Sequence, residues 1–171
     1  MKLSFDEIQD HKQFEDLIAA YFENLNKLAY MATTEIRVEP TGVGADGGRD
    51  LLVHARSEDI IPLFFKRTWV VQCKFHETNI STNKIADINI PTLIHSYKAV
   101  GYLLVCKRNP TSKLTQLFER LEKECTFGYK YQVLSGEKFL TLLFTSLEDN
   151  KRIVRRFFPK YYNHLIKNKM L

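Results

Sequence analysis

The chain has 171 residues, 44% of them apolar, which suits one globular domain, or one domain with a short appendage, and leaves little room for two unrelated ones. Its net charge of +5 is local in origin: Lys151, Arg152, Arg155, Arg156, Lys160, Lys167 and Lys169 follow residue 150 without one Asp or Glu, so the first 150 residues carry a net −2. A soluble, cytoplasmic chain with reduced thiols is expected, because there is no run of about 20 apolar residues, no basic-then-apolar leader, and no paired spacing among Cys73, Cys106 and Cys125.

Phe14, Leu17, Ile18, Tyr21, Phe22 and Leu25 recur at helical spacing and predict an amphipathic helix over 10–26, with Asp10 as its N-cap. Glu15 falls at the edge of the buried stripe, where it can look into a cleft or serve as an ordinary boundary glutamate. Over 33–38, Thr34, Ile36 and Val38 alternate with Thr33, Glu35 and Arg37, a strand with one wet face that Pro40 closes.

Four of the seven glycines lie between Gly42 and Gly48, and the turn Gly44-Ala45-Asp46-Gly47-Gly48-Arg49-Asp50 leads into a strand over 50–56. Residues 57–67 read as a connection whose apolar patch, Ile60 to Phe65, would cap the sheet or meet another chain. Trp69-Val70-Val71 begins another strand, which ends in Gln72-Cys73-Lys74. Side chains two apart on a strand share a face, so Gln72 and Lys74 project together while Cys73 points into the layer behind.

Ile85 and Ile88, then Leu93, Ile94 and Tyr97, predict a helix that Pro91 divides in two. A continuous apolar strand over 101–106 is of the kind buried on both faces. Asn109-Pro110 turns the chain into a helix presenting Leu114, Leu117, Phe118 and Leu121. A strand over 129–134 and a short helix over 139–147 follow. The whole is an α/β fold with a central mixed β-sheet flanked by helices. Beyond Leu147, the apolar face of Ile153, Val154, Phe157, Phe158, Tyr161, Tyr162, Leu165 and Ile166 lies among basic residues. It would pack on the core, dimerise or join a further domain, and its cations would attract nucleic acid or simply be solvated.

A divalent ion such as Mg²⁺ wants hard oxygen donors and retains several waters. Asp50 offers a carboxylate, Gln72 an amide oxygen, Cys73 a main-chain carbonyl, and Glu15 a second carboxylate. Lys74 would orient or deprotonate an attacking water and offset charge in the transition state. Asp46 and His76 stand near enough to assist, although a turn-stabilising Asp and a strand-end His account for them better.

Taken in order, Phe14-Glu15 in a helix, Gly47-Gly48-Arg49-Asp50, Val71-Gln72-Cys73-Lys74, then helix, buried strand, helix, strand and a Ser-Gly-Glu turn, the sequence resembles the Mrr-like branch of the restriction-endonuclease-like nucleases, the PD-(D/E)xK superfamily. The resemblance spans roughly residues 10–147 and divides the chain into a nuclease domain, 1–147, and a basic, aromatic helical extension, 148–171. Arg49 stands where the superfamily's name places a proline, and Gln72 where it places an acid.

The resemblance implies a restriction-endonuclease-like fold and a metal-dependent DNA endonuclease acting in restriction or anti-phage defence. Its metal site would comprise Asp50, Gln72, Cys73 and Glu15, with Mg²⁺ as cofactor and Mn²⁺ able to substitute. Asp50, Gln72, Lys74 and Glu15 would carry catalysis, and Arg49, Lys66 and Arg67 would touch phosphates. Double-stranded DNA is the implied partner, with a homodimer or larger oligomer and a further domain in a longer chain. Two rivals follow from the same residues: a weak or inactive DNA-binding or assembly module, because an amide holds a cation less firmly than a carboxylate, and an RNA-directed nuclease.

Overall fold

The computed structural model describes residues 4–25, 33–40, 49–58 and 64–168. At its centre is a five-stranded sheet in the order β1 (Thr33–Pro40), β2 (Leu51–Glu58), β3 (Phe64–Lys74), β4 (Gly101–Cys106) and β5 (Lys130–Leu134). The first three strands form an antiparallel meander, and β3, β4 and β5 run parallel, so the sheet is mixed. Parallel neighbours need a long crossover, and the two crossovers carry α2 (Ile90–Ser96) and α3 (Ser112–Glu124). The sheet is preceded by α1 (His11–Asn24) and followed by α4 (Gly136–Thr145), α5 (Leu147–Phe157) and α6 (Pro159–Lys167).

Strand alternation divides the core into two layers. Val71 and Cys73 face a cluster with Phe14, Leu17 and Ile18 of α1, Phe139 and Leu143 of α4, and residues of α5 and α6. Val70, Tyr102 and Leu104 face the other way, against Ile94 of α2 and Leu114 and Phe118 of α3. Phe14, Leu17 and Ile18 are wholly buried, worth about 1.5–3 kcal/mol each relative to exposure, which fixes the roll of α1 against the sheet. Asp10 accepts a hydrogen bond from the Gln13 N–H and caps the helix at the expected residue. Asn89 caps α2 by accepting from the Thr92 N–H, with Pro91 in the first turn and a separate 3-10 turn at Thr82–Ile85 before it.

Ile153, Val154, Phe157, Phe158, Tyr161 and Leu165 are buried in the α1 layer, so the apolar face beyond Leu147 packs on the core. Polar contacts secure the same seam. Asn24 donates to the Asp149 carbonyl at 2.9 Å and to Asn150 Oδ1 at 3.0 Å, while Asn150 donates to the Leu143 carbonyl at 3.0 Å. At the start of α6, the N–H groups of Lys160 and Tyr161 donate to the Glu7 carboxylate at 2.7 and 3.0 Å. These helix-start amides lack intrahelical acceptors, and Glu7 supplies one.

One expectation needs correction. The stretch 57–67 is not simply a connection: Ser57 and Glu58 still belong to β2, and residues from Phe64 onward belong to β3, paired Ser57↔Phe65 and Glu58↔Phe64. Ladder hydrogen bonds carry both strands past their apolar centres, making a hairpin. Residues 59–63, including Ile60 to Leu63 of the apolar patch, lie outside the described residues. Helix α4 also begins earlier than its apolar pattern, at Gly136, because the Ser135 side chain accepts from the Lys138 N–H. Among the described residues no helix is long and apolar enough to cross a membrane.

Candidate active site

Three elements meet at the C-terminal end of β3. Asp50, just before β2, donates its N–H to the Val71 carbonyl at 3.0 Å, and its Oδ2 accepts from the Cys73 N–H at 2.5 Å. The carboxylate is therefore tied to the strand that carries the Gln-Cys-Lys run. The first turns of α1 lie over this strand end and bring Glu15, with a side chain 15% exposed, toward Asp50. His11, one turn earlier, lies with Nδ1 3.0 Å from Glu15 Oε1 and Nε2 3.2 Å from the Cys73 carbonyl oxygen. Ligand atoms of His11, Glu15 and Asp50 all fall within 4.8 Å of one another.

Burial holds both carboxyl groups above the usual carboxylate range. For Asp50, loss of water outweighs the Cys73 N–H and the attraction of His11, Lys74 and Lys12. For Glu15, desolvation comes first and repulsion from Asp50 second, opposed by His11 and Lys12. A carboxyl raised in the folded state binds its proton more tightly there than in the unfolded chain. Its contribution to stability is present below the ordinary range near pH 4 and is lost as pH rises through the raised value. Without added metal, Asp50→Asn, which keeps an oxygen for the Cys73 N–H, should therefore be more stable than wild type at pH 7, and the difference should shrink toward pH 4. Urea unfolding midpoints at several pH values measure this, and a difference independent of pH would refute it.

Along β3 the side chains alternate as expected. Gln72 is buried, and its Oε1 accepts a 2.6 Å hydrogen bond from the hydroxyl of Tyr102 on β4. Burial raises the Tyr102 hydroxyl well above its usual pKa, so it remains a donor. The Cys73 thiol is wholly buried on the α1 side, and the residue offers the site only its backbone. Lys74, at the strand end, is one of the cations that pull the Asp50 pKa down. Cys106, opposite Lys74 on β4, has its thiol pushed up to about 12 by burial. Burial and the charges of Lys84 and Lys74 lower the pKa of the His76 imidazole.

The structure thus gathers Asp50, Glu15 and the Cys73 backbone, with Gln72 and Lys74 on the same strand end. Arg49 stacks on the Tyr97 ring at 4.3 Å. Arg67 is exposed on β3, seven residues before Lys74, which at ~3.3 Å per residue is about 23 Å away. The Lys66 side chain, Asp46 and the glycine turn lie outside the described residues. Two neighbours escaped the sequence reading. His11 could have been noticed four residues before Glu15, on the same helical face. Tyr102 carried no signal within an apolar strand.

The fold is that of restriction endonucleases. It is similar to the structure titled MspJI restriction endonuclease in complex with a 27-mer oligonucleotide (TM-score 0.55, 10% identity), over 88% of this chain and 33% of that one. It is also similar to AspBHI, described as a DNA modification-dependent restriction endonuclease (TM-score 0.52, 11% identity), over 98% of this chain and 43% of that one. The chain spans less than half the length of either. A comparison with curated proteins gives no match. The family model Mrr_cat, described as restriction endonuclease, matches residues 6–143, and the chain belongs to this family.

Proposed function

We propose that this domain is a metal-dependent endonuclease that hydrolyses phosphodiester bonds of double-stranded DNA. The observation that carries the reading is the pair Asp50 and Glu15: two partly buried carboxylates, both held above their ordinary range, converge beside Lys74. His11, Lys12 and Lys74 offset the pair only in part, since both groups stay raised. The donor chemistry fits a hard divalent cation, since carboxylate, carbonyl and amide oxygens are those that Mg²⁺ takes, and Mn²⁺ would substitute. Asp50 and Glu15 would hold it, with the Cys73 carbonyl and Gln72 as the neutral oxygens. When bound, the ion supplies Lewis-acid stabilisation of charge building on the phosphodiester.

The remaining work falls to the chain's own groups. The Cys73 N–H fixes the Asp50 carboxylate, and the Tyr102 hydroxyl fixes the Gln72 amide. Lys74 would position or deprotonate the attacking water and offset negative charge as the P–O bond breaks. Arg49, preoriented on Tyr97, would meet a phosphate. A duplex has two strands of opposite polarity, so a homodimer would supply the second cut. A cytoplasmic restriction or anti-phage role, with specificity from a further domain, suits the family.

The specific observation favouring a weak or inactive module is that the Gln72 oxygen is already bonded to Tyr102. Incubation of supercoiled plasmid with the purified chain separates the readings. Nicking and linearisation with Mg²⁺ or Mn²⁺, abolished by chelator and not reproduced on duplex RNA, is the expected result. Binding without cleavage under every metal would overturn it.

A further inference from the structure

His11 belongs to the α1 wall of this site but has no part in the ligand set so far described. Its Nε2 lies 3.2 Å from the Cys73 carbonyl oxygen, and a carbonyl can only accept, so Nε2 carries a hydrogen whichever form the ring takes, and in the neutral form it carries the only one. Nδ1 then presents a lone pair, and it faces Glu15 Oε1 at 3.0 Å. Two acceptors at this distance repel unless a proton or a metal ion lies between them: the proton makes the ion pair with Glu15, and a metal would take the proton's place. The Asp50 carboxylate is in the same 4.8 Å cluster, so three donor atoms from two separated elements point to one place.

The other side of the ring completes the pattern. A histidine that binds a metal through one nitrogen usually donates its second N–H to a carboxylate or a backbone carbonyl, which fixes tautomer and orientation. The Cys73 carbonyl stands in that position, so in this arrangement it holds the ring in place of ligating the ion directly. Meanwhile the neutral oxygen expected from β3 is partly spent, because Gln72 Oε1 accepts from Tyr102. An imidazole nitrogen is the stronger donor of the two. It also changes which ion is preferred: Mg²⁺ favours oxygen, whereas affinity for nitrogen donors rises from Mn²⁺ to Co²⁺ along the first transition row.

We propose that His11 Nδ1 is a third protein ligand beside Glu15 and Asp50, and that this nitrogen biases the site toward Mn²⁺ and Co²⁺ over Mg²⁺. The proposal rests on the metal-dependent reading above. It assigns α1 two ligands at i and i+4 on one helical face, with Asp50, just before β2, as the third.

The test is pulsed electron paramagnetic resonance of Mn²⁺ added to the chelator-treated full chain, with ion affinities measured by calorimetry. A ¹⁴N coupling to Mn²⁺ is expected in wild type and in His76→Gln, and it should vanish in His11→Ala. The same substitution should weaken Mn²⁺ binding by about 10-fold or more and change Mg²⁺ binding much less. His11 opens the helix and its side chain is 52% exposed, so the variant should keep its fold, as circular dichroism would check. Mn²⁺ binding that depends on Glu15 and Asp50 but shows no ¹⁴N coupling would overturn the proposal and leave the nuclease reading standing, with His11 reduced to an ion-pair partner of Glu15. No Mn²⁺ binding, or binding indifferent to Glu15→Gln and Asp50→Asn, would overturn both.

Discussion

Lys74→Ala is expected to slow plasmid cleavage by about 10²–10³-fold while leaving Mn²⁺ affinity within a few-fold of wild type. Asp50→Ala is expected to lose cleavage to at least the same extent and to lose metal binding as well. The two should separate because the proposed roles do. The Asp50 carboxylate is tied to β3 through the Cys73 N–H and faces Glu15, so its removal empties the centre of the charge cluster. Lys74 ends the same strand, and in the proposed mechanism its ammonium would act on water and on developing charge without holding the ion. Equal loss of binding in both variants would mean that Lys74 chiefly maintains the site, and cleavage surviving either change would place the chemistry elsewhere.

The second large effect concerns stability. Gly136 opens α4 under the chain leaving β4, and a Cβ there would stand 2.0 Å from the Lys107 carbonyl oxygen and 2.7 Å from its carbon. Neither partner can yield easily. The Lys107 N–H donates to the Lys74 carbonyl at 2.9 Å, extending the β3–β4 ladder, and the Lys107 ammonium lies 4.1 Å over the Phe75 ring and pairs with Glu77. Gly136→Ala should therefore cost about 3 kcal/mol, or more if the backbone cannot shift, and lower Tm by about 6–12 °C. Gly128 is the control: its φ is +70° but nothing lies within 4 Å of an added Cβ, so Gly128→Ala should cost only about 1–2 kcal/mol, from backbone strain. Equal losses in the two variants would show that the close approach at Gly136 relaxes. The same contact braces the backbone just behind Lys74, so a partly unfolded Gly136→Ala should also cleave poorly.

Periodic apolar residues made most of this fold legible. Phe14, Leu17 and Ile18 located α1, and two-residue alternation put Gln72 and Lys74 on one face and Cys73 on the other. The β2–β3 hairpin was harder to read, because Pro62 and a continuous apolar run hide the alternation that marks a paired strand, and pairing depends on a partner some ten residues away. Asp50, Glu15, Gln72 and Lys74 were visible as residue types near strand ends and a helix edge. What each one touches was not. The Tyr102 hydroxyl reaches Gln72 from 30 residues away, and His11 reaches the Cys73 carbonyl from 62, contacts set by the crossing of elements and not by local spacing.

The seam between α1 and the last two helices also orders events in time. Asn24 is held by residues 125 and 126 positions later, and Glu7 by residues 153 and 154 positions later. Contacts so distant in sequence close late, after the meander and the parallel strands can pair locally. On a ribosome, the layer that carries His11 and Glu15 stays incomplete until α5 and α6 have been made. A nascent nuclease would thus be kept harmless to nearby nucleic acid by the direction of its own synthesis.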